Sequence, residues 1–124
     1  MPADPDKPVE QQLENLLKTF DAKTVSVAGI LCDQHAEDPE TIALLYEDAL
    51  GNSARYTYAQ LRDLSSRSAG ALKALGVTKG DRVATLLPKS PELLVATLGL
   101  WRLGAAHVPL FTAFGPQALS LIHI

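Results

Sequence analysis

Apolar positions along this chain come in blocks with two different periods. Val9, Leu13, Leu16, Leu17 and Phe20 recur at spacings of four, three, one and three, one face of an amphipathic helix. Thr24 to His35 holds a second short apolar group (Val25, Val27, Ile30, Leu31), read as helical and stopped at Glu37-Asp38-Pro39. Ile42 to Tyr46 is a compact run with the length of a buried strand. Gly51-Asn52-Ser53 supplies a turn, and Ala54 to Tyr56 returns as its hairpin partner. Thr57 and Gln60 then have the spacing of a capping box, with Tyr56 and Leu61 placed as a hydrophobic staple. In the helix that follows, Leu61, Leu64, Ser68, Leu72 and Leu75 line one stripe, Ala69 and Ala71 widen it, and Gly76 provides a left-handed stop.

The stretch from Gly76 to Leu110 predicts a turn, a strand, a helix, a second glycine turn and a second strand. Val83 to Leu87 lacks polar alternation, the pattern of a parallel strand covered on both faces. Ser90 is placed as N-cap, Pro91 at the first helical position and Glu92 near the positive helix end. Between Pro91 and Leu103 the only charges are Glu92 and Arg102, so the helix is apolar all round and predicted to be buried. It shows more apolar surface than the remaining residues are expected to cover. Gly104 ends it, and Ala105 to Leu110 forms the second strand. The fold class is α/β, with βαβ units, right-handed crossovers and a largely parallel sheet.

Composition narrows the setting. The 124 residues amount to one domain or part of one, and 47% hydrophobic with 20% charged residues excludes a disordered chain. A net charge of -3 gives no basic footprint, so neither nucleic acid nor an anionic membrane is an expected partner. The longest apolar stretch, Leu93 to Leu103, is about half of a membrane span. The lone Cys32 has no disulfide partner within the chain and reads as a small buried hydrophobe, which favours a reducing, cytoplasmic location. Met1 to Pro8 reads as a flexible polar lead-in without the apolar core of a signal peptide.

Candidate chemistry is sparse. His35, His107 and His123 stand in no metal-ligand spacing, and His107 within an apolar strand reads as a satisfied core histidine. No GxxxxGK[ST] or GxGxxG occurs, and Thr78-Lys79-Gly80-Asp81 joins a helix to a strand, on the side of the sheet away from ligands. Ligands of parallel sheets gather at the loops leaving the strand carboxyl ends. Here those loops are Pro88-Lys89-Ser90, where Lys89 precedes a helix N-terminus and is a candidate for meeting an anion, and Phe111 to Gly115, with Phe111 and Phe114 as channel wall or core.

Several phrases together resemble the beginning of the adenylate-forming superfamily. Tyr56-Thr57-Tyr58-Ala59-Gln60-Leu61 is similar to its first core motif, with Tyr56 and Gln60 as departures. Arg102 to Leu110 (RLGAAHVPL) is similar to its second, and IALLYED, GVTKGDRV and LLPKSPEL match in spacing and type. The resemblance covers about Val25 to Leu119. Phe111 to Leu119 (FTAFGPQAL) resembles the acetyl-, propionyl- and medium-chain acyl-CoA synthetase branch rather than carrier-protein-loading adenylation domains.

The resemblance implies that a complete enzyme converts a small carboxylic acid with Mg-ATP to an acyl-adenylate and then to acyl-CoA and AMP. It implies a weak CoA-side role, facing the pantetheine channel, for Phe111, Thr112 and Ala113. No catalytic or metal-binding residue is expected in this chain. The family's Ser/Thr/Gly-rich phosphate loop ending in Pro-Lys-Gly, its ribose acid, its magnesium Glu and its C-terminal-domain lysine are not found in the sequence. The expected organisation is a lead-in over 1–23, a partial synthetase domain over 24–119 and a divergent tail over 120–124, where the reading frame looks truncated. The chain is expected to be inactive alone, with the rest of the synthetase domain as its partner. The alternatives are a free-standing binding or regulatory module, or a piece of a carrier-protein-loading domain.

Overall fold

The structure is a computed structural model and describes residues 8–121. The predicted lead-in up to Lys7, His123 and the last three residues of the tail lie outside the described residues. The elements run α1 (Val9–Phe20), α2 (Val27–Leu31), a 3-10 turn (Asp33–His35), β1 (Ile42–Glu47), β2 (Ser53–Thr57), α3 (Tyr58–Ala74), β3 (Arg82–Thr85), α4 (Pro91–Arg102), β4 (Ala106–Pro109) and α5 (Pro116–Leu121). β1 and β2 pair antiparallel, β3 and β4 pair parallel, and each pair is a separate two-stranded sheet. The fold is thus mixed α/β, with the predicted hairpin and the predicted βαβ unit both present.

Local chemistry explains the boundaries. The hairpin loop is organised by Asp48, whose carboxylate accepts from the Leu50 and Asn52 amides (both 2.9 Å) and from the Asn52 side chain (2.8 Å). Gly51 takes the left-handed φ of 83° that this loop needs. Thr57 accepts from the Gln60 amide at 3.2 Å and Gln60 accepts from the Thr57 amide at 2.8 Å, closing the capping box. Gly76 and Gly104 end their helices with φ of 96° and 71°.

The core forms where α3 and α4 cross and α2 closes the end. Ala28, Cys32, Leu61 and Leu98 make the buried cluster, and Ala43, Tyr56, Tyr58, Leu94, Val95 and Trp101 pack against it. The approach is close because Gly99 of α4 faces Ser68 of α3: a Cβ at Gly99 would lie 2.7 Å from the Ser68 Oγ.

Four expectations change. First, α4 carries no surplus apolar surface: Pro91, Thr97, Leu98, Gly99 and Leu100 are buried and no large apolar side chain of it is exposed. α3 covers one side, α2 another and β4 a third, so the excess appears elsewhere. Second, the buried row of α3 is Leu61, Ser65 and Ala69, while Leu75 is 82% exposed and Ala71 is also exposed. Ser65 and Ala69, small residues four apart, let α4 settle against α3, and Leu75 lies beyond the last residue of α3. Third, β3 is covered on one face only: Val83 and Thr85 are half-buried and Arg82 and Ala84 exposed, since α4 lies over a single side of the two strands. β1 likewise leaves Leu45 70% exposed. Fourth, Ser90 occupies the N-cap of α4 as expected, but its side chain makes no cap hydrogen bond.

Candidate functional site

The carboxyl ends of β3 and β4 deliver the two loops that the sequence singles out. The first, Pro88-Lys89-Ser90, runs into α4 and borders a cleft of about 400 Å³. Leu44 and Tyr46 of β1 form one wall, and Pro91, Leu93, Leu94 and Thr97 of α4 form the other, with His107 also lining it. The cleft is overwhelmingly apolar, and Lys89 is the one lysine or arginine among its described lining residues. An amphiphile with an apolar body and an anionic end matches that chemistry better than a polyphosphate, which requires several donors.

His107 is spoken for. Its Nε2 lies 2.7 Å from the Thr85 hydroxyl and its Nδ1 3.5 Å from that of Thr97, which in turn donates to the Leu93 carbonyl at 2.7 Å. It joins β3, β4 and α4 as a bonded core histidine, as its sequence setting predicts. The Thr78–Asp81 loop is also structural: the Asp81 carboxylate accepts from the Thr78 amide (2.7 Å) and hydroxyl (3.0 Å). Those two bonds hold the Asp81 carboxyl below its usual range.

The second loop carries Phe111, Thr112 and Ala113, all exposed. Phe111 and Phe114 meet edge to face, with ring centres 5.6 Å apart and planes at 78°, and the Phe114 amide donates to the Phe111 carbonyl at 3.0 Å. These aromatics are outside the core cluster, and none of the three predicted residues lines the cleft. The Lys89 loop borders the cleft and the Phe111 loop does not.

Sequence reasoning missed one cluster. Arg102, at the end of α4, donates from Nη1 to Asp33 Oδ2 at 2.8 Å, pairs its Nη2 with Asp33 Oδ1, and donates from Nε to the Ser65 hydroxyl at 2.9 Å. The guanidinium bonds hold the Asp33 carboxyl below its ordinary range, against a smaller opposing effect of burial. Burial, and then the Asp33 charge, pushes the adjacent Cys32 thiol up, so it stays protonated and points at the Tyr58 carbonyl, 3.6 Å away. Residues 69 positions apart carry no sequence signal of pairing. Among the described residues no group of His, Cys, Asp or Glu side chains has the arrangement to hold a metal ion, and no helix is long and apolar enough to cross a membrane.

Comparison with known proteins agrees with this geometry. The sequence profile of the AMP-binding enzyme family matches residues 31–123. Acetyl-coenzyme A synthetase of Streptomyces coelicolor is 43% identical over 105 residues, which are 83% of this chain and 16% of that protein. The human mitochondrial acetyl-coenzyme A synthetase 2-like protein is 41% identical over 90 residues, 71% of this chain and 13% of its own length. The crystal structure of Brucella canis acyl-CoA synthetase superposes with a TM-score of 0.77 at 37% identity, covering 80% of this chain and 18% of that one. The chain belongs to the AMP-binding enzyme family. It has the fold of a small part of an acyl-CoA synthetase and spans about one sixth of the length of such relatives (16% for the Streptomyces enzyme).

Proposed function

We propose that this chain is the N-terminal portion of an acyl-CoA synthetase that activates a small carboxylic acid, and that it supplies framework and one wall of the CoA approach rather than the chemistry. The observation that carries this reading is the match through residues 31–123, which runs across the whole βαβ unit and both crevice loops. In the complete enzyme the acid reacts with Mg-ATP to give an acyl-adenylate and pyrophosphate, and CoA then takes the acyl group and releases AMP. Adenylation requires a polyphosphate to be neutralised and charge to be stabilised at the α-phosphorus, largely by placed cations and donors. The donor set for that is missing from this sequence, so ATP and magnesium are held by the remainder of the synthetase. Phe111, Thr112 and Ala113 face CoA; their exposure at the end of β4 supports this. The reading includes a cytoplasmic location, which the single free, buried thiol supports.

The purified chain is expected to release no pyrophosphate from ATP with acetate through octanoate, and clear acid-dependent turnover would overturn the inactive-alone reading. Grafted in place of the matching stretch of the Streptomyces enzyme, it is expected to support acyl-CoA formation. In that graft Phe111→Ala raises the KM for CoA and leaves acid-dependent pyrophosphate release unchanged; equal loss in both half-reactions sinks the CoA role.

A further inference from the structure

α1 carries a continuous apolar stripe that the described residues leave bare. The helix buries no residue, and Val9, Leu13, Leu16, Leu17 and Phe20 are 48–79% exposed. Val9, Leu13, Leu16 and Phe20 are spaced four, three and four apart, the alternation with which two helices pack along a shared seam. Leu17 widens that seam on one side. A 12-residue helix is marginal in water by itself, so a partner that fills the seam also stabilises the helix. The family profile begins at residue 31, after α1 has ended, and assigns the stripe no neighbour.

Charge and area decide what fits. A helix lying on a membrane surface is rich in Lys and Arg on its polar face. Here that face has Glu10, Glu14 and a single Lys18, already paired to Glu14 at 2.9 Å. A second copy of α1 fits better. Glu10 and Glu14 stand in the first half of the helix, Lys18 near its end and, past Asp21, Lys23 just beyond. Antiparallel pairing sets the acidic start of one copy beside the basic end of the other, with the two helix dipoles opposed. Parallel pairing would set Glu10 against Glu10. The antiparallel seam also matches itself, Val9 facing Phe20 and Leu13 facing Leu16 across a two-fold axis. Five side chains at those exposures leave roughly 500–600 Å² of apolar surface per copy, so two stripes together bury roughly 1,000–1,200 Å², the lower limit for a specific interface.

We propose that α1 is a self-association surface, pairing antiparallel with α1 of a second copy along Val9, Leu13, Leu16, Leu17 and Phe20. An interface at the lower size limit pairs weakly, so the chain is monomeric at low micromolar concentration and dimeric well above it. The proposal is independent of the synthetase reading, which rests on residues 31–123.

Sedimentation equilibrium of the full chain from about 5 to about 200 µM tests it, and the average mass is expected to rise from monomer toward dimer. Leu16→Glu is expected to hold the chain monomeric throughout. Because α1 buries no residue in the monomer, the circular dichroism and melting of that variant at low concentration are expected to match wild type. A wild-type chain still monomeric at the highest concentration overturns the proposal, and so does a dimer that survives Leu16→Glu. Disulfide trapping reads the orientation, with the buried Cys32 common to every variant. Chains carrying Val9→Cys and chains carrying Phe20→Cys are expected to cross-link severalfold more when mixed than either does alone. Preferential cross-linking of Val9→Cys chains to one another means a parallel seam and overturns the pairing. Two further results give the stripe to another occupant. A monomeric chain that binds phosphatidylglycerol vesicles, with the binding lost in Leu16→Glu, gives it to a membrane. A monomeric graft in the Streptomyces enzyme whose melting temperature falls on Leu16→Glu gives it to the remainder of a synthetase. Either result overturns self-association.

Discussion

α1 and α4 are both 12-residue helices, yet α1 buries no residue and α4 buries five. Val9, Leu13, Leu16, Leu17 and Phe20 of α1 are 48–79% exposed, although they form a well-ordered apolar stripe. The stripe and the Glu14–Lys18 pair are enough to specify a helix but not a packing partner. α4 has weaker amphipathic character and no single face to bury, and for that reason neighbours can close on it from several sides. Amphipathicity tells where a helix needs cover; the neighbours decide whether it receives any. The same contrast separates the finished helical layer from the half-covered β3–β4 sheet.

The contrast can be broken most forcefully in the core. Leu98→Ala, at a side chain 3% exposed, is expected to cost about 3 kcal/mol in urea unfolding, and a loss under about 1 kcal/mol would mean that α4 is less enclosed than described. Next comes a pair of glycines on facing helices. Gly99→Ala puts a Cβ 2.7 Å from Ser68 Oγ and 3.2 Å from the Ala69 amide nitrogen, so it should destabilise by about 1–2 kcal/mol even after its gain in helix propensity. Gly70→Ala meets nothing within 4 Å and should stabilise by up to about 1 kcal/mol. If the two shifts have the same sign, the α3–α4 contact is not the close one described.

A smaller effect tests the ionic tie between α4 and the 3-10 turn. Asp33 has a depressed carboxyl pKa in the folded chain, chiefly through the Arg102 hydrogen bonds. Such a group stabilises the fold above the unfolded value of about 3.9, and its contribution is lost as pH falls through the lower folded value. The wild-type chain should therefore lose more stability than Asp33→Asn on acidification below about pH 4, followed by thermal melting. Parallel curves would remove the pair from the account. Smallest of all, Leu16→Ala on α1 should change stability by no more than about 0.5 kcal/mol.

Elements whose cause is local were readable from the sequence. The Thr57–Gln60 capping box, the Gly76 and Gly104 stops and the turn before β2 each depend on residues within a few positions of one another. The parallel pairing of β3 and β4 was readable too, because a short crossover helix leaves little alternative. What the sequence did not disclose was cover. Leu75 carried the period of the buried α3 stripe and lies outside it, and β3 had the composition of a doubly covered strand but is bare on one side. Both depend on which neighbours are present, and apolar composition alone does not encode that. The Asp33–Arg102–Ser65 cluster was invisible for the related reason that its members meet only after α3 and α4 have crossed. For the candidate site, the two crevice loops were legible from strand polarity, whereas the cleft needed the hairpin wall of Leu44 and Tyr46, which no local pattern places against α4.

Thr57 is at once the last residue of β2 and the N-cap of α3, and the next amide, Tyr58, bonds the Thr41 carbonyl at 3.1 Å just before β1. No linker residue separates hairpin from helix, so the two are joined without a slack segment. With α3 packed on α4, and Leu44 and Tyr46 lining the cleft opposite Leu93 and Leu94, a tilt of α4 is expected to change the width of the cleft beside Lys89.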